Sequence, residues 1–466
     1  DNIMRKFKKK ITIPHTFTII FLLIVIIAIL TYIIPSGEFK RIDVDGRMVV
    51  KPGTYHQVDS NPQGIQDVFM APINGFVDAA EVVGFVLLVG GAFGIVNKTG
   101  AIESGINHIV RKLKGLQVLI IPVSMILFGL GGSTFGMNEE TLPFYMIFIP
   151  LMTNLGYDSL TAISTVFLGS GTGVIASTIN PFSVGIAQAL ADIVPGAGIL
   201  YRAIIFIVLM TISITFLMVY ANKIKKDPKK SLVYELDANN KKDFIMDDST
   251  IKPFTIKEVI VLVIFISGMS MMVYGVLNMD WYIPEIAMIF CMIGVFSGIF
   301  GGLKQDEIVD SFLTGASDLV SAALAIALAR GIVIVAQNGH IIDTLLNYSA
   351  DALSKLPKFI FINLSFLLES LLSFLIPSSS GLASLTIPVL APLSDLVGVS
   401  SQLIITAYQF GTGLINLITP TSGVLMGALA FAKIPWSKWV RFLAPLFGIM
   451  IIVCIMFLTI GLYIGF

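Results

Sequence analysis

The sequence predicts an all-α polytopic membrane protein built from two inverted repeats, with re-entrant helical hairpins and broken helices. Three observations predict it. Long apolar runs recur from one end of the chain to the other. Blocks of the first half return in the second. Tracts rich in Gly, Ser and Pro interrupt the apolar runs at corresponding places. Composition agrees: 55% of the 466 residues are hydrophobic and 13% are charged, where a soluble domain carries about 25% charged residues. Too little polar surface remains to coat a water-soluble globule, which excludes soluble enzymes, nucleic-acid-binding modules and disordered chains. Thirty basic residues balance thirty acidic ones, so no global field would attract a polyanion and no nucleic acid is expected as a partner. The expected partners are the lipid bilayer and a small solute.

The elements follow in chain order. A spanning helix needs about 20 apolar residues. Ile13–Ile34 meets that length and follows Arg5, Lys6, Lys8, Lys9 and Lys10. It is longer than a signal-peptide core and lacks a small-residue cleavage site, so it reads as a retained first helix. Further apolar runs lie at 82–97, 117–131, 142–154, 158–176, 200–220, 257–278, 283–301, 319–336, 359–376, 385–397, 401–418 and 442–465. Several are short or studded with Gly and Pro, as expected of segments that enter a membrane without crossing it. The longest polar stretch between them, 221–257, carries nine lysines, Lys223, Lys225, Lys226, Lys229, Lys230, Lys241, Lys242, Lys252 and Lys257. Basic loops stay in the cytoplasm. That rule places the N-terminus, Arg111–Lys114, 221–257 and Lys433–Arg441 inside, and 36–65 outside. Lys355 and Lys358, on the expected outer side, run against it. The parts are then an N-terminal helix and outer loop (1–65), a first repeat (66–220), a cytoplasmic linker (221–257), connecting scaffold helices (258–304), a second repeat (305–432) and a C-terminal helix (433–466). Cys291 and Cys454 both lie in apolar runs, so neither a disulfide framework nor a Cys-based metal site is expected.

The repeats align directly. Residues 75–102 match 315–342: Gly75, Asp78 and Gly91 meet Gly315, Asp318 and Gly331. Residues 131–143 match 376–388, with Ser133, Gly136, Thr141 and Pro143 meeting Ser378, Gly381, Thr386 and Pro388. Residues 171–191 match 411–430: the run Gly171-Thr172-Gly173 returns as Gly411-Thr412-Gly413, and Pro181 meets Pro420. By the charge rule, 82–97 runs outside to inside and 319–336 inside to outside. Inverted repeats with helix breaks at matching positions mark a secondary transporter with its site near the midplane.

In hydrocarbon an unsatisfied backbone group costs several kcal/mol, so the main chain opens only against protein, water or a ligand. The tracts 131–141, 169–183, 376–384 and 411–423 are the candidate break points. Ser177-Thr178-Ile179-Asn180-Pro181 and Ile418-Thr419-Pro420-Thr421-Ser422-Gly423 read as turns between half-helices, with Pro stopping one half and Ser, Thr or Asn capping the next. Amides freed at such ends suit a carboxylate. Freed carbonyls and hydroxyl oxygens suit Na⁺ or another hard cation. Any single small-residue tract equally permits close helix packing; four in two-fold register favour a binding site. Glu139 and Glu140 sit in the first break beside Asn138, and Glu369 and Arg330 sit mid-span. A lone charge at bilayer depth faces a cavity or a partner. Such a Glu would hold a cationic group or a proton, or pair with Arg330 to lock two helices. Asp78 and Asp318 are expected to cap or anchor interfacial helices. His15, His56, His108 and His340 show no ligand spacing, and no GxxxxGK[ST] loop occurs. Neither a metal centre nor ATP hydrolysis is therefore expected, and ion gradients are left as the energy source.

Ile34–Phe39 (IPSGEF), GGSTFGMNEET at 131–141, STINPF at 177–182 and TPTSG at 419–423 resemble the anaerobic C4-dicarboxylate carrier family, in its YfcC-like branch of basic amino acid antiporters. The likeness covers nearly the whole chain. It is similar in turn to the wider ion transporter superfamily, which implies hairpin tips that bind a carboxylate and Na⁺, a homodimer, and an elevator motion of a transport domain past a scaffold. Carried onto this chain, Ser177, Thr178, Asn180, Thr419, Thr421 and Ser422 would line the broken-helix tips. Ser133, Thr134, Ser378, Ser379 and Ser380 would lie at the opposing hairpin tips. Na⁺ would be held near Ser133, Asn180, Ser378 and Thr419, with Na⁺ or H⁺ as coupling ion and no cofactor. The second half has Leu417-Ile418-Thr419-Pro420 where the first has Thr178-Ile179-Asn180-Pro181. One polar residue fewer argues against a second cation site there.

The substrate expectation follows charge. A dicarboxylate would want extra positive charge at the breaks, yet Glu139 and Glu140 stand there. A zwitterionic or basic amino acid fits better, with a C4-dicarboxylate as the alternative. A channel needs no paired gating device, and no cluster of acid, base and nucleophile marks a membrane enzyme.

Overall fold

The computed structural model describes residues 16–466 apart from 45, 113–114, 195, 241–253, 280 and 282. Arg5, Lys6, Lys8, Lys9, Lys10, His15, Lys114, Lys241, Lys242 and Lys252 lie outside the described residues, as do the side chains of Arg111, Glu139 and Pro143. Helix α1 (Thr16–Ile33) leads into four short strands, β1 (Gly37–Glu38), β2 (Arg41–Val44), β3 (Arg47–Val50) and β4 (His56–Gln57). β1 pairs with β4 and β2 with β3, both antiparallel. These ribbons correct the all-helical expectation. With no apolar run to form a span, 37–57 satisfies its amides laterally, and the turn signal is local: Asp43 Oδ1 accepts from the Gly46 amide at 2.8 Å and Gly46 takes φ +79°, as tight hairpins require.

The first half continues with α2 (Ile65–Asp78), α3 (Ala80–Lys98), α4 (Ala101–Lys112), α5 (Ile120–Phe135), α6 (Leu142–Asn154), α7 (Ser159–Ile175), α8 (Ile186–Leu190), α9 (Ile199–Lys226) and α10 (Tyr234–Asn239). The second comprises α11 (Ile256–Asn278), α12 (Ile283–Phe300), α13 (Gln305–Asp318), α14 (Val320–Asn338), α15 (Ile342–Leu353), α16 (Lys358–Leu375), α17 (Ser379–Val397), α18 (Ser401–Asn416), α19 (Gly423–Phe431) and α20 (Trp436–Ile464). Among the described residues seven helices are long and apolar enough to cross a membrane, or eight if α13 and α14, bent by 43°, form one span. This is a multi-span membrane protein.

Two helix pairs pack through glycine. α3 lies on α13, and α2 lies on α14. A Cβ on Gly90 would come within 2.8 Å of the Gly315 carbonyl oxygen, and one on Gly331 within 2.9 Å of that of Ala71. Small residues let the backbones touch where no water-driven force holds helices together. Both crossings are antiparallel. Moving from Gly90 to Gly94 along α3 moves the contact from Gly315 back to Ser311 along α13. Asp78 ends α2 and, instead of capping it, pairs with Arg330 of α14. Its carboxylate could do little for a helix C-terminus, which attracts cations, and a guanidinium stands opposite.

The stretch expected to be a bare linker is partly docked. α9 runs on to Lys226, and Val233 is fully buried. Asp158 caps α7 through the Thr161 amide and accepts from Tyr220 Oη and Ser231 Oγ, each at 2.6 Å. Asp237 of α10 accepts from the Ser159 amide at 2.9 Å and its hydroxyl at 2.5 Å. Lys438 Nζ of α20 donates to the Leu232 carbonyl at 2.8 Å. A few apolar residues and these bonds pin 231–239 beneath α7, which composition alone did not reveal.

Candidate functional site

All four tracts contain a helix break, each shorter than its tract. α5 stays helical through Phe135, and 136–138 is irregular before a single 3₁₀ turn at 139–141. Gly136 has φ +71°, and a Cβ there would meet Asn180 Oδ1 at 2.7 Å. Conformation and space both demand glycine. Glu140 is buried and accepts from the Asn138 amide at 2.9 Å, so its carboxylate caps its own turn.

α7 unwinds at 176–180, ahead of a wide turn at Pro181–Gly185 that runs into α8. Asn180 accepts from the Phe182 amide at 3.0 Å, and Pro181 takes the first turn position, where a missing N–H does no harm. Ser133 Oγ donates to the Ala176 carbonyl at 3.0 Å and lies 3.1 Å from Thr178 Oγ1, while the Thr178 amide donates to the Ser133 carbonyl at 3.0 Å. The Ser170 hydroxyl donates to the Met137 carbonyl. Asn180 Nδ2 is 3.3 Å from Ser177 Oγ. The first two breaks are thus stitched together, bringing Ser133, Ser177, Thr178 and Asn180 into one cluster. Thr134 stands apart, its hydroxyl turned back to Leu130 O.

In the second half 376–378 separates α16 from α17, and 417–422 separates α18 from α19. Ser378 caps α17 through the Gly381 amide at 3.2 Å and touches Ser380 Oγ at 3.2 Å. Ser379 and Ser380 therefore belong to the first turn of α17. The Thr419 and Thr421 hydroxyls are 2.7 Å apart, and Ser422 caps α19 through the Leu425 amide at 3.3 Å. Pro420 is buried in that loop. The carbonyls freed here are already taken. Trp439 Nε1 donates to Leu417 O and Trp436 Nε1 to Ile418 O, both at 2.8 Å. Two indoles thus each bond one carbonyl oxygen beside Thr419, and nothing in the sequence linked 436–439 to this break.

α7 and α18 cross antiparallel where both unwind. A Cβ on Gly413 would lie 2.7 Å from Ile175 Cα, while Leu417 faces Gly171. Gln409 Nε2 of α18 donates to Val174 O at 2.6 Å, a bond between halves that no pattern signalled, because Gln409 stands where the first half has Gly169. Arg330 and Glu369, expected as a possible pair, are not paired: Arg330 holds Asp78, and Glu369 is fully buried on α16. A cavity of about 580 Å³ lies between the ribbons and the start of α17. Its lining includes Glu38, Arg41, His340, Asp343 and Ser380. Arg41 grips Asp343 through two 2.9 Å bonds, and His340 Nδ1 is 2.6 Å from Glu38. Both signs of charge therefore line it.

Comparison with known proteins places the chain. The family model described as "C4-dicarboxylate anaerobic carrier" matches residues 13–463. The chain is similar to an uncharacterized protein of Haemophilus influenzae, at 32% identity over 96% of each chain. It is likewise similar to an Escherichia coli K12 protein named "Putative basic amino acid antiporter YfcC", at 34% identity over 94% of each. The solved structure of the Alcanivorax borkumensis YdaH transporter covers 97% of this chain and 99% of its own at 15% identity, with a TM-score of 0.42. By the extent of the family match and of these two relatives, the chain belongs to the C4-dicarboxylate anaerobic carrier family of membrane transporters.

Proposed function

We propose that the protein is a secondary active transporter for a small carboxylate-bearing solute, gripped where α7 and α18 unwind side by side. The observation that carries this reading is that antiparallel crossing. Matching helices of the two halves meet head to tail at matching breaks, as an inverted pair would. The crossings of α2 with α14 and of α13 with α3 support the same relation, because each exchanges a first-half helix for its counterpart. Ser133, Thr178 and Asn180 on one side and Thr419, Thr421 and Ser422 on the other supply hydroxyls, amides and partial charge for a carboxylate. The reading includes the bacterial cytoplasmic membrane, a cytoplasmic N-terminus, a homodimer and an elevator-type motion.

An amino acid is the leading substrate class. Among the described residues no unpaired cation stands at the breaks to neutralise a second carboxylate, since Arg330 is taken by Asp78. The relative named as a basic amino acid antiporter points the same way. A C4-dicarboxylate is the second reading, favoured by the family description. Uptake of labelled arginine, ornithine and succinate into proteoliposomes decides: saturable arginine or ornithine transport is expected. Saturable succinate transport with no response to amino acids would overturn the choice.

A further inference from the structure

We propose that Glu369 is a proton-binding site coupled to the start of α17, an inference that rests on the transporter reading but concerns a different group. Glu369 lies in the middle of α16, a helix long and apolar enough to cross the membrane, and is 0% exposed. Among the described residues neither carboxyl oxygen has a hydrogen-bond partner. An ionised carboxylate without donor or counter-charge in such a place costs several kcal/mol. One proton taken up from water by the carboxylate removes that cost, and the same proton returns to water when the site opens.

The surroundings favour a proton over a metal cation. A hard cation asks for several converging oxygens, and among the described residues no cluster of three or more His, Cys, Asp or Glu could hold one; the nearby hydroxyls direct their protons away from the carboxylate. Thr386 of α17 faces the carboxyl but donates to Leu382 O. Ser365 donates to Phe361 O, and Ser373 to Thr412 Oγ1. On the other side the backbone of α18 comes close enough that a Cβ on Gly411 would lie 2.8 Å from Glu369 Cβ. α14, α15, α17, α18 and α20 pack on α16. Tyr408 of α18 is the titratable group that feels a charge on Glu369. Arg330 of α14 is held by Asp78, Asp343 of α15 by Arg41 and Lys438 of α20 by Leu232 O. Asp395 of α17 is exposed, and Cys454 of α20 is a buried thiol.

Tyr408 supplies the coupling. It is fully buried, and its hydroxyl donates to the Ser379 carbonyl at 2.6 Å. A charge appearing at Glu369 is felt by the same side chain that holds the first turn of α17 against α18. Loading and unloading a proton there biases whether that turn stays docked.

The test needs no transported solute. Purified full-length protein in liposomes is stepped between acidic and alkaline buffer while its infrared difference spectrum is recorded. The carbonyl stretch of an un-ionised carboxyl should disappear with rising pH, and that band should be absent in Glu369→Gln. Difference spectra identical in the two proteins would overturn the proposal. On the unmodified protein, a carbodiimide that attacks only protonated buried carboxyls should label Glu369, faster at low pH; no adduct there at any pH would overturn it equally. Loss of the pH-dependent band on adding Na⁺ at constant pH would assign a metal ion instead and sink the proton assignment. If arginine is transported, Glu369→Gln should keep solute exchange while losing accumulation driven by a pH gradient. Failure of arginine transport alone would contradict the substrate reading and leave the spectroscopic result standing.

Discussion

Asn180 shows how one side chain serves both the fold and the proposed site. Its Oδ1 caps the turn at Pro181, and it fills the space that Gly136 leaves open. Asn180→Ala removes a cap of about 1 kcal/mol and one polar contact for the solute. A several-fold rise in the KM for uptake is expected, with the protein still folded by size-exclusion chromatography; an unchanged KM would remove Asn180 from the site. Trp439 acts on the other break. Trp439→Phe leaves the buried Leu417 carbonyl unpaired, which costs roughly 1–3 kcal/mol, so thermal unfolding in detergent should shift clearly downward. An unchanged midpoint would mean that this carbonyl finds another partner. The residue identities at the breaks were legible: Pro, Asn and Ser in a duplicated pattern announce an interrupted helix. Gln409, Tyr408, Trp436 and Trp439 were not, because their partners lie on other helices and an amphipathic or aromatic residue in an apolar run carries no mark of what it reaches.

At the scale of elements, each apolar run read from sequence coincides with a helix, since a span is a matter of length and hydropathy, whereas the helices α2, α4, α13 and α15 fall on no such run. The ribbons at 37–57 and the docked segment 231–239 were missed, the first because its strands are only two to four residues long and the second because a few apolar residues hide in a lysine-rich stretch. That docked segment makes a pH prediction. Burial, with Asp158's charge adding to it, pushes the Asp237 carboxyl up from its ordinary 3.8 to about 6, against the bonds from Ser159 that lower it. An acid whose pKa is higher in the docked state contributes stability that is fully present below about 3.8 and is lost as pH rises through about 6. Hydrogen–deuterium exchange in 231–239, corrected for intrinsic rates, should therefore slow as pH falls from 7.5 toward 5. Asp237→Asn should flatten that dependence. Equal protection across the range would show that Asp237 does not sense docking.

For the whole molecule, three sequence alignments and a charge rule predict an inverted relation between the halves. Helices α2, α3, α13 and α14 pair crosswise, and α7 crosses its counterpart α18 antiparallel. Sequence could suggest that the halves match. It could not say that their breaks would meet, because that depends on glycines such as Gly171 and Gly413 letting two helices approach at the point where both unwind. The account stands on that meeting point being where a solute sits. The direct measurement replaces Cys291 and Cys454 with Ser, places a single cysteine at Thr178 or Ser422, and follows its alkylation by a water-soluble thiol reagent in proteoliposomes. Arginine should slow the reaction at both positions while leaving a cysteine at exposed Met48 unaffected. Alkylation at 178 and 422 that proceeds equally with and without arginine, ornithine or succinate would contradict it.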